Sequence, residues 1–377
     1  METRSRKRIA LFYPLFAGGG AEAVAIWAAH ALQDDYEVTI ATIAHIDIQH
    51  LNRMYATSVD PDRVAVMTQF SERWAGLFRY IHGNSKIGEN FVTHLFVRWF
   101  KTIAKQFDVC ISGYNAVDFG CPGIQYIHWH NVLFTPGYYW VSDFSEGRAY
   151  QNISVANSRY TADKFEERCG NPVDVLYPPV PGEEGIEVVP WNDRPEFSFI
   201  CSGRITKPKT PHRVIELLDI VRQRGYNVKL HLTGGGSGVY ASGYVRKVQN
   251  LAKRHSDWVT LHTDLPYAKY IELLRHCRYG FHMKPEPFGI SIAEMVQMGL
   301  IPFVRDWGGQ LEIVGTDHPE LLIGNEHEFP EQIIAVLDDA QKQRSILQSL
   351  DDRRALFVPD RFIGGMKQVV EKHFALT

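Results

Sequence analysis

Tyr177-Pro178-Pro179-Val180-Pro181-Gly182 interrupts the chain near its midpoint, and what lies on either side of it decides the fold. Proline and glycine at this density can neither continue a helix nor pair as an inner strand. The Pro/Gly/Glu-rich stretch runs on to about Pro195 without helical or strand periodicity, as a domain linker does. Downstream, short Val/Ile-rich runs predict strands at Phe197–Ser202, Val228–Thr233, Val259–His262, Tyr279–Met283 and Ile301–Val304. Between them, amphipathic runs predict helices at Pro211–Arg224, Tyr240–Lys253, Tyr267–His276 and Ile290–Met298, with Glu328–Leu347 as one long helix at the end. Upstream the same alternation predicts strands at Ile9–Leu15, Val38–Ile43, Val109–Ser112, Gln125–His128 and Ile153–Ala156. Helices are predicted there over Gly20–Leu32 and Ser158–Cys169, the second capped by Asn157 or Ser158. Apolar strands alternating with helices are the pattern of a parallel sheet covered on both faces. The expected fold class is therefore α/β, with two Rossmann-like domains whose parallel sheets face a central cleft. The expected boundaries are 1–180, a linker at 181–195, 196–360, and a final helix at 361–377 that crosses back to the first domain.

Composition agrees with two ordinary cores: of 377 residues, 45% are hydrophobic and 22% charged, which excludes a disordered chain. A net charge of −3 excludes the strongly basic balance of a nucleic-acid binder. Cys110, Cys121, Cys169, Cys201 and Cys277 form no C-x-x-C pair and read as reduced thiols of a cytoplasmic protein. Arg4, Arg6, Lys7 and Arg8 precede the apolar run Ile9–Phe16, as in a secretory signal. Pro14 and three following glycines interrupt that run, and cleavage would remove the first core strand. No stretch offers the ~18 apolar residues of a spanning helix. In a reducing compartment the sequon Asn152-Ile153-Ser154 carries no glycan.

Four segments carry candidate chemistry. Gly18-Gly19-Gly20-Ala21-Glu22-Ala23 follows the first strand, and its bare backbone lets N–H groups and a helix N-terminus approach an anion. It also fits the dinucleotide pattern G-x-G-x-x-A, but no acid stands at the end of the second strand before Asp47, as an NAD site would need. A second loop, Gly234-Gly235-Gly236-Ser237-Gly238, follows another strand; each glycine run alone could be only a tight turn. Gly203-Arg204-Ile205-Thr206-Lys207-Pro208-Lys209 can aim Arg204 and Lys209 at one diphosphate, with Lys207 as a competitor and a solvated basic loop as the bland alternative. The fourth segment is Lys284-Pro285-Glu286-Pro287-Phe288-Gly289-Ile290-Ser291-Ile292-Ala293-Glu294. It places one carboxylate in a loop after a buried strand and a second about one turn inside the next helix. The helix-opening N–H groups of Gly289, Ile290 and Ser291 lie between them. His128 and His130 flank Trp129 at a strand end. A lone histidine there is more often a hydrogen-bonded core residue than a ligand contact.

These segments resemble the GT-B glycosyltransferases of glycosyltransferase family 4, most closely from Phe197 to Val314. The resemblance rests on Gly18-Gly19-Gly20-Ala21-Glu22, the Arg204…Lys209 pair, the E-x7-E spacing of Glu286 and Glu294, and Gly308-Gly309-Gln310-Leu311-Glu312. The Tyr177-Pro178-Pro179 linker is similar to that of members acting on lipid-linked sugars. The resemblance implies retaining transfer of a hexose from a nucleotide sugar, without metal or other cofactor. UDP-glucose is the favoured donor and GDP-mannose the close alternative; the acceptor is a growing glycan, in an exopolysaccharide or a lipid-linked oligosaccharide. It assigns Arg204, Lys209 and the amides of Gly19 and Gly20 to the diphosphate, Glu286 to the sugar and Glu294 to the ribose, with Gly234 and Gly235 in the donor site. Phe288, Gly289, Ile290 and Ser291 complete the donor site, with His128 near sugar and acceptor. The sequence holds one Asp-x-Asp, Asp60-Pro61-Asp62, which lies outside the four segments. Fixed cations and N–H groups can stabilise a leaving diphosphate, each contributing ~3 kcal/mol. A hydrolysing epimerase, an NAD-dependent oxidoreductase and a non-catalytic sugar-nucleotide binder are the alternatives.

Residues 73–105 combine Arg73, Arg79, Lys86, Arg98, Lys101 and Lys105 with many aromatics. On a helix over 92–105, His94, Arg98, Lys101 and Lys105 share one face. That face is expected either to be simply solvated or to touch anionic lipid at the inner face of the cell membrane.

Overall fold

The computed structural model describes residues 6–16, 18–131, 133, 135–181, 188–235, 242–263 and 265–376. Two compact units divide the chain: residues 1–179 with 359–377, and residues 180–358. In the first, β1 (Arg8–Phe12), α1 (Gly20–Leu32), β2 (Glu37–Thr42), α2 (Ile48–Tyr55) and β3 (Ala65–Thr68) are followed by two helices in succession, α3 (Glu72–Asn84) and α4 (Lys86–Ile103). Then come β4 (Val109–Ser112), β5 (Ile124–Ile127), the short α5 (Tyr139–Ser142) and α6 (Glu146–Ala149), β6 (Ile153–Ala156), α7 (Arg159–Cys169) and β7 (Asp174–Val175). Ser158 starts α7 by accepting the Thr161 N–H, and Gly170 ends it at φ +71°, where a Cβ is disfavoured.

The seven strands form one parallel sheet in the order β3-β2-β1-β4-β5-β6-β7. One face is covered by α1 and by the last helix of the chain, which inserts Phe362, Met366, Val369 and Val370 beside Val24, Ile26 and Tyr126. The other face is covered by α4, whose Phe96 and Phe100 rings meet Phe12 at 4.6 and 5.1 Å between centroids.

The second unit runs β8 (Ser198–Ser202), α8 (Pro211–Gln223), β9 (Lys229–Thr233), α9 (Ser242–Arg254), β10 (Val259–His262), α10 (Tyr267–Arg275) and β11 (Tyr279–His282). It continues with α11 (Ile290–Gln297), β12 (Ile301–Arg305), α12 (Gln310–Val314), β13 (Leu322–Ile323), α13 (Phe329–Leu337) and α14 (Ala340–Arg354), after which α15 (Pro359–Leu376) rejoins the first unit. Its six strands are parallel, in the order β10-β9-β8-β11-β12-β13. In both sheets the order in which strands are added reverses once, between β1 and β4 and between β8 and β11. A doubly wound sheet binds ligands at that switch point, beyond the strand C-termini.

Three readings of the sequence are corrected. The long helix expected at Glu328–Leu347 is two, because the Asp339 carboxylate accepts from the Gln341 and Lys342 N–H groups and starts α14 afresh. Residues 188–195 are no loose linker. Arg194 is buried, and its guanidinium donates to the carbonyls of Val189, Cys277, Met298 and Gly299. The polar face of the 92–105 segment is only partly wet: Arg98 and Lys105 are exposed, but His94 is fully buried, with its ring nitrogens 2.8 Å from Ser142 Oγ and 2.9 Å from Thr135 Oγ1. Lys101 pairs at 2.7 Å with the buried Asp118, which also accepts from Arg148 and from the Ser145 and Gly120 N–H groups. Burial lowers the His94 imidazole to about 4, with Lys101 adding to the shift, so it stays neutral.

Candidate active site

At the switch point of the second sheet, β8 and β11 lie side by side with Phe281 opposite Cys201. The segments leaving their C-termini hold most of the residues singled out in the sequence. Gly203 turns the chain at φ +135° and Arg204 follows, exposed. A 3-10 turn over Lys207–Lys209 then leads to α8, with Thr210 at φ +47° and Pro211 opening the helix. A small depression here is lined by Gly203, Arg204, Ile205, Lys209, Thr233 and His282. Lys207 is exposed and does not line it.

Lys209 Nζ reaches across to the β11 loop, 2.8 Å from Glu286 Oε1 and 2.9 Å from His282 Nε2. Lys284 Nζ donates to both oxygens of Glu286, at 3.1 and 3.2 Å. The Glu286 backbone is fixed by an isolated parallel bridge to Gly308. Burial alone would push the Glu286 carboxyl up, but Lys209 and then Lys284 more than offset it and hold it below the usual range. Glu286 is therefore an anion in contact with cations.

Gly289, at φ +107°, makes the turn into α11; a Cβ there would come within 2.8 Å of Ile292 Cδ1. Ile290 and Ser291 form the first turn of α11. The Phe288 ring is buried edge-on to Phe357 at 5.6 Å, so that a donor-site role would fall to its backbone. Glu294 lies in a different environment from Glu286. Tyr270 donates to its Oε2 at 2.9 Å, and Tyr267 bonds it as well. Burial nevertheless raises its carboxyl to about 7.

The glycines also separate. A Cβ on Gly234 would run into the Gly203 carbonyl, so that position is glycine because two loops of the unit touch. Gly235 accepts the Ile205 N–H at 3.2 Å, and Gly236, Ser237 and Gly238 lie outside the described residues. At the switch point of the first sheet, Gly18 has φ +93°, but Gly19 is extended and exposed, and a Cβ on it would meet nothing within 4 Å. The fold makes no demand for glycine at 19, whereas an approaching ligand would. The Gly18 N–H donates to Glu22 Oε2 at 2.9 Å and the Gly19 N–H to the Tyr55 hydroxyl at 3.0 Å; Gly20 opens α1.

His128 follows β5 and is half-buried. Its Nε2–H donates to the Gly113 carbonyl at 2.8 Å, and burial lowers it to about 4 against that bond. Asn115, at φ +130°, accepts the N–H groups of both His128 and Trp129 at 2.8 Å. His130 bonds Asn131 at 3.0 Å. Sequence reasoning missed His282, Lys284, Tyr267, Tyr270 and Gln310, the last donating to the Lys284 carbonyl at 3.0 Å. The position of His282 as the last residue of β11 was the available signal. Among the described residues, no group of three or more His, Cys, Asp or Glu is placed to hold a metal. No described helix is long and apolar enough to cross a membrane.

Two doubly wound parallel sheets and a charged cluster at the second switch point define the class: the chain has the GT-B fold, and residues 186–349 match the family described as Glycosyl transferases group 1. The chain is 33% identical over 156 residues to the GDP-Man:Man(3)GlcNAc(2)-PP-Dol alpha-1,2-mannosyltransferase of Neurospora crassa, covering 38% of this chain and 28% of that protein. It is 24% identical over 232 residues to the protein of the same name from Dictyostelium discoideum, covering 57% and 46%. The chain thus spans less than half the length of these curated relatives. Among solved structures, Anabaena Alr3699/HepE in complex with UDP and glucose superposes with a TM-score of 0.66 at 16% identity, over 98% of this chain and 99% of that one. At that identity the likeness shows the fold alone.

Proposed function

We propose that the chain is a retaining glycosyltransferase that moves mannose from GDP-mannose onto a lipid-diphosphate-linked glycan. The observation that carries sugar transfer is the cluster of Lys209, Glu286 and Lys284 at the switch point of a domain matching Glycosyl transferases group 1. The donor rests on the shared GDP-Man name of both curated relatives, which moves the reading away from the UDP-glucose expected from the sequence. As the bond between the sugar C1 and the diphosphate breaks, negative charge collects on the leaving group. Lys209, Arg204 and the N–H groups opening α11 stabilise it where it forms. Glu286 meets the sugar hydroxyls and Glu294 the ribose, and the fixed cations make a divalent metal dispensable.

Lipid contact belongs on α3 and the start of α4 rather than on the polar face that holds the buried His94 and the paired Lys101. Trp74, Leu77, Tyr80, Ile87 and Phe91 are exposed there, beside Arg73 and Lys86. Exposed aromatics among cations suit a bilayer interface.

The test is incubation with GDP-mannose or UDP-glucose in EDTA, with and without lipid-linked oligosaccharide, followed by mass spectrometry of the products. A glycan heavier by one hexose from GDP-mannose is the expected result. Faster use of UDP-glucose overturns the donor, and absolute dependence on added Mg²⁺ or Mn²⁺ overturns the charge account.

A further inference from the structure

We propose that His282 is a positioning residue that holds the Lys209 ammonium ready for a diphosphate without cancelling its charge. The inference rests on the donor-site reading above and adds a residue that neither the sequence motifs nor the resemblance pointed to.

The hydrogen-bond geometry assigns the roles of the two ring nitrogens. His282 Nδ1 lies 3.0 Å from the Lys284 carbonyl oxygen, which can only accept, so Nδ1 carries the proton. Nε2 is then a bare lone pair, and it lies 2.9 Å from Lys209 Nζ, which can only donate. The backbone of the β11 loop therefore selects the tautomer that receives the lysine. The ring is 2% exposed and cannot turn away into water. Burial, then the neighbouring Lys209, lower the imidazole to about 3, so it stays neutral across the working pH range of a protein.

Lys209 has three N–H donors. Glu286 takes one at 2.8 Å and His282 another, which leaves one for a phosphate oxygen. The side chain keeps contact with solvent, at 21% exposure, so a ligand can reach it. A second carboxylate in place of His282 would hold the ammonium as well but would leave the cluster without net positive charge for the diphosphate. An imidazole supplies an acceptor and adds no charge. Gly203 contributes to the same placement through its backbone, since φ +135° is a conformation that side-chain-bearing residues rarely adopt, while Lys209 Cε would lie at ordinary contact distance from a Cβ there.

The experiment compares the affinities of GDP and UDP with those of guanosine and uridine, by titration calorimetry, for the wild type and for His282→Leu, His282→Gln and His282→Glu. A general packing defect weakens nucleoside and nucleotide alike, whereas a misplaced Lys209 weakens only the nucleotide. His282→Leu should lose about tenfold in nucleoside-diphosphate affinity, the scale of one hydrogen bond to a charged group, and little in nucleoside affinity. His282→Gln, whose Oε1 can accept from Lys209, should recover most of it. His282→Glu should bind diphosphate as weakly as His282→Leu, and the neutral His282→Gln keeps the test decisive if either of them does not fold, since a folded His282→Gln without the recovered diphosphate affinity also overturns the role. Equal loss of nucleoside and diphosphate affinity, or diphosphate binding by His282→Glu at the wild-type level, overturns the positioning role. A wild type that gains nothing from the diphosphate over the bare nucleoside overturns the donor-site reading, and the positioning role with it.

Discussion

Glu294 is caught between two demands. Burial makes its charge costly, and the proposed ribose contact uses that charge. With the unfolded carboxyl near its ordinary 4.5 and the folded one at about 7, the folded protein keeps a proton the unfolded chain has lost. Stability therefore falls as pH rises from 4.5 to 7, by on the order of 3 kcal/mol, and stays reduced above. Glu294→Gln mimics the protonated form, so its melting temperature should match the wild type at pH 5 and exceed it at pH 8. A difference independent of pH would place the cost elsewhere. Comparing Glu286→Ala with Glu294→Ala separates the two carboxylates: the first should lower turnover with nucleotide affinity nearly kept, the second should weaken nucleotide binding itself. Equal losses of GDP affinity in calorimetry would refute that division. The glycines give a third contrast. Gly19→Ala should leave the melting temperature within the ~0.5 kcal/mol typical of surface changes and reduce turnover, whereas Gly234→Ala should destabilise the fold outright. Thermal melts of both, with donor-turnover assays of the first, check this.

At the scale of elements, periodicity located most strands and helices because it reports burial directly. Val109–Ser112, Ile153–Ala156 and Val259–His262 are strands over the spans expected. It did not reveal α3 or β3: β3 is a short, half-buried edge strand, and α3 leaves the apolar residues Trp74, Leu77 and Tyr80 exposed instead of gathering them on a buried stripe. It misjudged α4 because polarity was taken for exposure. Asp118, 17 residues on, accepts from Lys101 and so permits that part of the face to be withdrawn from water, and no local pattern can announce such a partner. In the candidate site, Arg204, Lys209, Glu286 and Glu294 were legible from spacing. His282, Tyr267 and Tyr270 were not, since each acts through a contact made only by folding. The same correction redirects the lipid test. Substituting Trp74, Leu77 and Ile87 with Ser should abolish co-sedimentation with anionic vesicles, while Arg98→Gln with Lys105→Gln should keep most of it. Lys101 must be left intact, being tied to a buried carboxylate. Unchanged binding by the serine variant would remove α3 and α4 from the membrane contact.

For the molecule as a whole, the path of the chain matters more than any single contact. The first unit leaves at residue 179 and regains its last helix at 359. Phe362, Met366, Val369 and Val370 of α15 are buried on it, and at ~1.5 kcal/mol or more each they contribute on the order of 6 kcal/mol. A chain ending at Val358 should therefore lose the calorimetric transition of the first unit and keep that of the second. Two intact transitions would show that α15 is dispensable. The same path has a consequence for biosynthesis. The unit begun first on the ribosome is completed last, because about 180 residues must be made in between, roughly 10 to 35 s of translation at common rates. Throughout that interval, the apolar flank of α1 that α15 will cover faces solvent in the nascent chain, a delay that a holding chaperone or slow crowding with neighbouring polysomes would feel before any enzyme exists.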